Sequence, residues 1–195
     1  MAVQREQWIS PEEYLAIDRA SPDVKYEYMD GHMYAMAGGS RNHARIAMNL
    51  GTIVDAHLGD GPCRAYSSDV RAKVSESKYL LPDLTVTCSP EDMPGEEDMI
   101  YSPRLVVEVL SPSTEAHDRG KKFKAYQKCP SIEEYVLIRT EYQEVEIYNR
   151  HGDIWTYRRF GPGQEVELLS INLSIPIAAL YSRTDVPEPD PEQEE

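Results

Sequence analysis

The segment Leu105-Val106-Val107-Glu108-Val109-Leu110 places one carboxylate in the middle of an otherwise apolar run. The run is rich in β-branched residues and too short for a typical helix, so it predicts a buried β-strand. An ionised carboxylate in a core is costly unless it is protonated, paired or bound to a cation. Asp83 is a second acid of this kind, because it opens the apolar run Leu84–Cys88. Two acids on two core strands are typical of a site for a hard metal ion.

The rest of the chain predicts an α/β (α+β) fold, in which a mixed sheet is flanked by helices. Ser10-Pro11-Glu12-Glu13 is a capping box that begins a helix, and Asp30-Gly31 is a tight turn between the strands of a hairpin. Apolar residues at helical spacing predict further helices, and alternating or apolar runs predict strands. The helices cover residues 42–58 and 118–128, and the strands cover residues 63–66, 69–74, 84–88, 105–110, 134–138, 144–148 and 154–160.

The chain of 195 residues is long enough for one domain with a substantial core, which we expect to cover residues 1–184. Residues 185–195 hold six acids and several prolines without a base, and this composition predicts a disordered tail. No run is long and apolar enough for a membrane span and the N-terminus lacks a secretion signal, so a cytoplasmic protein is expected. The three cysteines predict neither a disulfide framework nor a zinc site, and Cys88 and Cys129 are expected to be core residues.

Charge is unevenly distributed along the chain. The formal net charge of −14 argues against a protein that coats nucleic acid, and it implies that any affinity for DNA is weak. Four of the seven lysines nevertheless fall between Lys121 and Lys128. On a helical wheel, Lys122 lies on the face opposite the other three lysines, beside Tyr126. An inward lysine favours an anionic partner, and Glu108 or Asp83 is the natural one.

Two interpretations of these inward charges remain open at this stage. In the first, the charges have no function. There is a structural salt bridge among Glu108, Asp83 and Lys122, or Lys122 extends its amine to solvent. In the other, the same three residues form a functional site, because buried ion pairs seldom stabilise a core better than apolar packing does.

Several segments resemble the Uma-type family of proposed restriction endonucleases, which belongs to the PD-(D/E)XK nuclease superfamily. The resemblance extends from Ser10 to Tyr181 and is carried by Pro82-Asp83, Val107–Thr114, Asp118–Tyr126, Tyr26–Gly31, His43, Asn49-Leu50 and Ser67–Arg71. It implies a restriction endonuclease-like core and a metal-dependent endonuclease that hydrolyses phosphodiester bonds in DNA.

The resemblance also implies a role for each site residue. Asp83 and Glu108 would ligate Mg²⁺ or Mn²⁺, with Glu27 and the backbone carbonyl of Val109 as further ligands. The superfamily normally has a lysine two residues after the second acid, where this chain has Leu110. Lys122, on the following helix, is the residue that would replace it.

Four further residues are expected to contact the phosphate backbone of the substrate, which is a sequence-independent interaction: Lys121, Arg119, Lys124 and His43. A homodimer is expected because symmetric pairs are the commonest assembly. Two other functions fit the sequence. One is a catalytically inactive nuclease-fold module that binds DNA, and the other is a protein-interaction module that acts through the acidic tail.

Overall fold

The computed structural model describes residues 8–36, 38–93, 95 and 98–190. Its strands are β1 (Tyr26–Met29), β2 (His32–Ala35), β3 (Arg64–Ser67), β4 (Arg71–Ser75), β5 (Lys78–Leu80), β6 (Leu84–Thr87), β7 (Met99–Ile100), β8 (Pro103–Val109), β9 (Glu134–Ile138), β10 (Val145–His151), β11 (Ile154–Phe160), β12 (Glu165–Leu168) and β13 (Leu173–Pro176). Its α-helices are α1 (Pro11–Arg19), α2 (Arg41–Leu58), α3 (Glu115–His117), α4 (Phe123–Lys128) and α5 (Ile177–Leu180). A π-helix over Asp118–Lys122 joins α3 to α4, and we call this continuous run the 115–128 helix.

The strands form two large sheets and a ribbon. The six-stranded sheet has the order β11-β10-β9-β8-β6-β3, and the five-stranded sheet has the order β2-β1-β5-β4-β7. β8 pairs parallel with β9 and antiparallel with β6, so the six-stranded sheet is mixed. β12 and β13 form the ribbon. The predicted mixed α+β architecture is confirmed, although the strands are divided between separate sheets.

β8 is buried on both faces, which explains its nearly continuous apolar sequence. Leu105, Val107 and Val109 pack into the core that α2 covers, together with Ile46 and Leu50. Alternate residues of a strand point to opposite faces. Val106 and Leu110 accordingly pack against α4 and the five-stranded sheet. Glu108 lies between them in the sequence, and its side chain therefore points toward the 115–128 helix.

The N-terminal elements form as the local sequence predicts. Ser10 and Glu13 make both hydrogen bonds of the capping box at the start of α1. β1 and β2 pair across the turn at Asp30 and Gly31, whose φ angles of 50° and 93° suit the twist of a tight hairpin. The stacked rings of Tyr14 and Tyr28, with centroids 5.0 Å apart, hold α1 against the hairpin.

Several elements differ from the sequence prediction. β5, β7 and β13 were not predicted, because runs of two to four residues carry too little alternation to be recognised. β7 lies between the predicted strands 84–88 and 105–110, in a segment of which residues 94, 96 and 97 are outside the described ranges. The 115–128 helix begins three residues earlier than predicted, and its central π-helix has no counterpart in the wheel analysis, which assumed 3.6 residues per turn.

The expectation that the cysteines form no disulfide is wrong for two of them. Cys63 and Cys88 are bonded to each other, with Cα atoms 4.0 Å apart. The pairing of β3 with β6 places these residues opposite each other, because Arg64 is in register with Thr87. Their sequence separation of 25 residues gave no sign of this proximity. Cys129 is a free, buried thiol in the core, as predicted.

The tail boundary at residue 185 also needs correction. Val186 is buried, and the side-chain amide of Gln143 donates to its carbonyl oxygen at 3.1 Å. The backbone N–H of Gln143 donates to the carbonyl of Pro187 at 2.9 Å. Residues 185–187 therefore belong to the packed body, because one apolar side chain and two hydrogen bonds attach them to it. The predicted tail residues 191–195 lie outside the described residues.

None of the helices in the described ranges is both long enough and apolar enough to cross a membrane.

Candidate active site

The ammonium group of Lys122 is surrounded by three carboxylates. Its Nζ lies 2.9 Å from Glu27 Oε1, 3.1 Å from Glu108 Oε1 and 3.3 Å from Asp118 Oδ1. We call these four residues the cleft cluster. All four side chains are buried, with at most 6 % of their surface exposed. Three acids around one base leave an excess of negative charge at this point of the core.

Three separate elements bring the cleft cluster together. Glu27 lies on β1 of the five-stranded sheet, and Glu108 lies on β8 of the six-stranded sheet. Asp118 and Lys122 are the first and last residues of the π-helix, so both side chains reach the same point. π-Helical turns are rare and occur frequently at functional sites. The cluster is therefore a product of tertiary packing rather than of any one segment.

Hydrogen bonds from the core fix two of the acids. The hydroxyl of Tyr126 donates to Glu108 Oε1 at 2.8 Å, and this tyrosine is fully buried. The backbone N–H of Leu81 donates to Glu27 Oε1 at 3.0 Å. Each carboxylate is therefore held by a neutral donor in addition to the lysine, which limits its freedom to rotate.

Burial and the charges of the neighbouring residues shift the pKa values of Glu108 and Lys122. Burial raises the pKa of Glu108 well above its usual value, and the neighbouring acids raise it further against the opposing effect of Lys122. Burial lowers the pKa of Lys122, but the surrounding carboxylates outweigh it and leave that pKa well above the usual value. Burial and the neighbouring acids thus act against the charged form of Glu108, and the carboxylates favour the charged form of Lys122.

Asp83 approaches the same region from the start of β6. It directly precedes the strand, as its position before the run Leu84–Cys88 predicted. Its Oδ2 accepts the backbone N–H of Val109 at 2.7 Å and lies 3.3 Å from His43 Nε2. The hydrogen bond to Asp83 raises the pKa of His43, and a bond to the backbone carbonyl of Val109 adds to this effect. Asp83, His43 and Val109 thus form one connected group beside Glu108.

All of these residues line a single open cleft. The cleft has a volume of about 1140 Å³, and its wall includes Glu27, Asp83, Glu108, Asp118, Lys122 and His43. Four carboxylates therefore line one cleft that is open to the outside. The structure therefore brings together the five residues predicted for the chemistry or for direct metal contact, including Val109.

The residues predicted to bind phosphate differ in whether their charged groups are free to reach a substrate. Lys121, Lys124 and Lys128 are exposed whereas Lys122 is buried, as the helical wheel predicted. Arg119 does not extend into solvent. Its Nε donates to Glu115 at 2.7 Å and its Nη1 donates to Glu146 at 2.7 Å. These two carboxylates occupy the guanidinium, which removes Arg119 from the residues that can meet a phosphate in this conformation.

The donor atoms at the cleft suit a hard divalent cation, since they are carboxylate and carbonyl oxygens. In this structure, however, three of the carboxylates are arranged around the ammonium group of Lys122. Within the described ranges, no three Asp, Glu, His or Cys side chains are placed to hold one metal ion together. The buried Oδ1 of Asp118 lies 3.3 Å from the Lys122 ammonium but accepts no hydrogen bond from the described residues. The chemistry of the site fits a metal, and the lysine ammonium lies among the ligands that a metal would need.

Two residues of the site received no role from the sequence. The helical wheel placed Tyr126 beside Lys122 without giving it a role, and Asp118 was not singled out. The spacing of Asp118 and Lys122, four residues apart on a helix, is a signal that could have indicated their contact. No comparable signal exists for Tyr126, because an aromatic residue on the inner face of a helix is usually there for packing.

Comparisons with known proteins agree with the geometry. Residues 11–178 match the model of the Uma2 family, which is described as "Putative restriction endonuclease". The chain is 41 % identical over 175 residues to the uncharacterized protein slr1290 of Synechocystis sp., covering 89 % of this chain and 91 % of that protein. It is 32 % identical over 155 residues to sll1609 of the same organism, covering 78 % and 87 %.

A solved structure shows the same fold. The crystal structure of a protein from Anabaena variabilis ATCC 29413, described as "a putative nuclease belonging to DUF820", superposes with a TM-score of 0.74 at 19 % identity. The match covers 89 % of this chain and 98 % of that one. Since the Uma2 model covers nearly the whole described domain, the chain belongs to the Uma2 family.

Proposed function

We propose that this protein is a metal-dependent endonuclease that hydrolyses phosphodiester bonds in DNA. The observation that carries the proposal is the excess of acids at the cleft. Glu27, Glu108 and Asp118 share one ammonium ion, and Asp83 faces the same space. A structural ion pair needs one acid for each base. Additional buried carboxylates are costly, and a divalent cation would offset that cost.

Asp83 and Glu108 would hold the cation, Mg²⁺ or Mn²⁺, with Glu27 and the carbonyl of Val109 as further ligands. A bound ion of this kind lowers the pKa of a ligated water and neutralises charge that develops on a phosphate. The residues of the chain do the rest. Tyr126 orients the carboxylate of Glu108, and His43 orients that of Asp83. Lys122 donates hydrogen bonds at the floor of the cleft, where it would position the attacking water.

Contacts with the substrate would come from the exposed lysines. Lys121 and Lys124 lie on the solvent face of the 115–128 helix and would meet backbone phosphates. The net charge of −14 keeps general affinity for DNA low, so productive binding depends on the cation. A homodimer in the cytoplasm is part of the proposal, because two symmetric sites would allow both strands to be cut.

A cleavage assay with matched acid substitutions tests this function. Wild-type protein is incubated with supercoiled plasmid and Mg²⁺ or Mn²⁺, beside Asp83→Asn and the control Glu133→Gln. Glu133 is also paired with a base, Arg104 at 2.9 Å, but it lies on the surface outside the cleft. We expect wild type and Glu133→Gln to cut at equal rates and Asp83→Asn to be inactive. Equal cutting by all three proteins would exclude the proposed site.

A catalytically inactive module of the same fold is the second candidate. Two observations favour it: the ammonium of Lys122 lies among the ligands, and Leu110 replaces the lysine that the superfamily carries on the strand. Calorimetric titration with Mn²⁺ separates the two functions. An active nuclease binds the ion and loses that binding in Glu108→Gln. An inactive module shows no heat of binding that depends on Glu108.

A further inference from the structure

The cleft continues well beyond the acids. One wall is the surface of α2 that carries Ala44, Ala47 and Met48, and another is the end of β3 at Tyr66 and Ser67. Ser67 is in register with Leu84, the residue that follows Asp83. Tyr66 is therefore one strand across and two residues along from Asp83, roughly 8 Å between Cα atoms. This extension lies close enough to the acids to be filled by the same bound molecule.

The lining of the cleft is poor in positive charge. Among the described residues of its wall, the lysines and arginines are Lys25 and Lys122, and six side chains are acidic: Asp23, Glu27, Asp55, Asp83, Glu108 and Asp118. Lys122 is surrounded by acids, and Lys25 forms an ion pair with Asp69. Proteins that bind duplex DNA neutralise several phosphates with lysine and arginine. This wall offers no such row of bases.

Aromatic and apolar side chains take their place. Tyr66 lines the extension and also a second, smaller pocket that it shares with Val70 and Tyr101, and Tyr34 lines the wall beside the 115–128 helix. The ring of Tyr34 is 5.4 Å from that of His117, and the ammonium of Lys121 lies 5.8 Å from the tyrosine ring. His117 also lines the cleft, and its buried Nε2 has no hydrogen-bond partner in the described part of the chain. Such surfaces suit nucleobases, which stack on aromatic rings and offer polar edges.

The depth of the acids points in the same direction. Glu27, Glu108 and Asp118 are each at most 5 % exposed, so a scissile phosphate has to enter the cleft to meet them. A base-paired duplex keeps its bases stacked in the interior and cannot bring them against the cleft wall. A single strand is narrower, and its unstacked bases are free to turn toward aromatic side chains.

We infer that the cleft takes an unpaired strand of DNA, with bases stacked on Tyr66 and Tyr34 on either side of the phosphate that is cut. This inference rests on the proposed nuclease function and names its substrate class. Stacking supplies the affinity that phosphate contacts supply in duplex-binding proteins. A strand end, a flap or a bubble provides such a segment, whereas a closed duplex has first to be opened.

The first experiment compares one sequence in two states. A labelled 20-nucleotide strand is offered alone and annealed to its complement, with Mn²⁺, to wild type and to Asp83→Asn. We expect the single strand to be cut at least about tenfold faster than the duplex, because opening a duplex costs a few kcal/mol. A duplex cut as fast as the single strand, with Asp83→Asn inactive on both, would overturn the inference and leave the nuclease intact. No cutting of either substrate would remove the proposed function together with the inference.

The second experiment tests the stacking surface. In Tyr66→Leu we expect KM for the single strand to rise about fivefold or more with kcat unchanged, which is the loss typical of one stacked base. The control is Tyr157→Leu, since Tyr157 is an exposed tyrosine on β11 and does not line the cleft. Thermal unfolding of both variants checks that they are folded. Equal KM values for Tyr66→Leu, Tyr157→Leu and wild type would contradict the assignment.

Salt dependence gives an independent result. If Lys121 and Lys124 neutralise about two phosphates and stacking supplies the rest of the affinity, the slope of log KM against log salt is about 1 to 2. A protein that neutralises six or more phosphates shows a slope several times steeper. A steep slope for the single strand would show that phosphate contacts carry the affinity, and it would overturn the stacking proposal.

Discussion

Two clusters of charged side chains share the 115–128 helix, and they differ in the ratio of acids to bases. The first is the cleft cluster, in which three acids surround Lys122. The second, which we call the arginine cluster, consists of Glu115, Arg119, Arg139, Glu144, Glu146 and Arg159. It has three acids and three bases. Its carboxylates each have an arginine within 2.5–3.0 Å, whereas the acids at the cleft compete for one ammonium ion.

The effect of this difference is visible in two buried glutamates. Burial raises the pKa of Glu108, and the neighbouring acids raise it further. Burial also acts to raise the pKa of Glu146, but hydrogen bonding and attraction from Arg119 outweigh it and leave that pKa below the usual value. The first residue therefore favours a proton or a cation, and the second is satisfied as a carboxylate. In the arginine cluster each acid is paired with a base, and the ion pairs stabilise the fold. In the cleft cluster the acids outnumber the base, and the excess negative charge can attract a cation.

The largest effect is expected when the only base of the cleft cluster is removed. Lys122→Met leaves three buried carboxylates without an ammonium, and we expect the free energy of unfolding to fall by about 3 kcal/mol or more. Mn²⁺ should restore much of that loss, because a divalent cation replaces the missing positive charge. Urea denaturation with and without Mn²⁺ measures both. Lys124→Met, an exposed lysine on the same helix, is the control. A loss that Mn²⁺ does not recover would show that the acids form no cation site.

Glu108→Gln tests the cleft cluster from the side of the acids. The amide keeps the shape of the side chain and can still accept a hydrogen bond from Tyr126, but it carries no charge. We expect cleavage to fall about 100-fold or more, since a ligand of the proposed metal is lost. The free energy of unfolding should change by less than about 1 kcal/mol, because repulsion among the acids is relieved at the same time. Plasmid cleavage measures the rate, and urea denaturation measures the stability. A variant that cuts at the wild-type rate but is clearly less stable would contradict the comparison.

The same isosteric change in the arginine cluster should have the reverse outcome. Glu146→Gln deprives Arg119 of its closest carboxylate, and we expect the free energy of unfolding to fall by about 2 kcal/mol. Cleavage should stay within about twofold of wild type, because this residue does not line the cleft. A variant that loses activity while its stability is unchanged would show that the two clusters are not separable.

The smallest effect is a dependence of stability on pH. Because the pKa of Glu146 is lower in the folded protein than its usual value of 4.5, its contribution to stability is complete above that value. The contribution is lost as pH falls through the folded pKa, since the carboxylate then takes up a proton. The difference in unfolding free energy between wild type and Glu146→Gln should therefore shrink as pH falls below the usual pKa of 4.5. A difference that grows as pH falls would reverse the sign of this linkage.

Elements that are specified by short-range sequence signals were predicted well. The capping box at Ser10, the turn at Asp30-Gly31, the apolar run of β9 and the alternation along β11 gave bounds within two residues of the structure. Short strands escaped prediction because two or three residues form a strand only when a neighbour supplies their hydrogen bonds. β5 and β7 are of this kind, and their partners are β1 and β4.

For the site, burial of Glu108 and the inward position of Lys122 followed from periodicity alone. The residue pattern also singled out Asp83, and the family resemblance added Glu27 and Val109. Neither source indicated that Asp118 would join the cluster or that Tyr126 would bind Glu108. Arg119 was assigned a contact that the structure does not support. Its charge and its position on the helix suggested that it binds a phosphate. Its actual partners depend on β10, which lies 27 residues further along the chain at Glu146.

The sequence by itself determined where carboxylates and lysines would be buried, because hydrophobic periodicity decides which face of a strand or helix turns inward. It also determined the family, through motifs that span nearly the whole chain. The tertiary structure alone decided how many acids meet at Lys122, which cysteines form a disulfide, and how far the cleft extends past the acids. Those features join residues from separate sheets and helices, and the distances between them are set by packing, which no local pattern records.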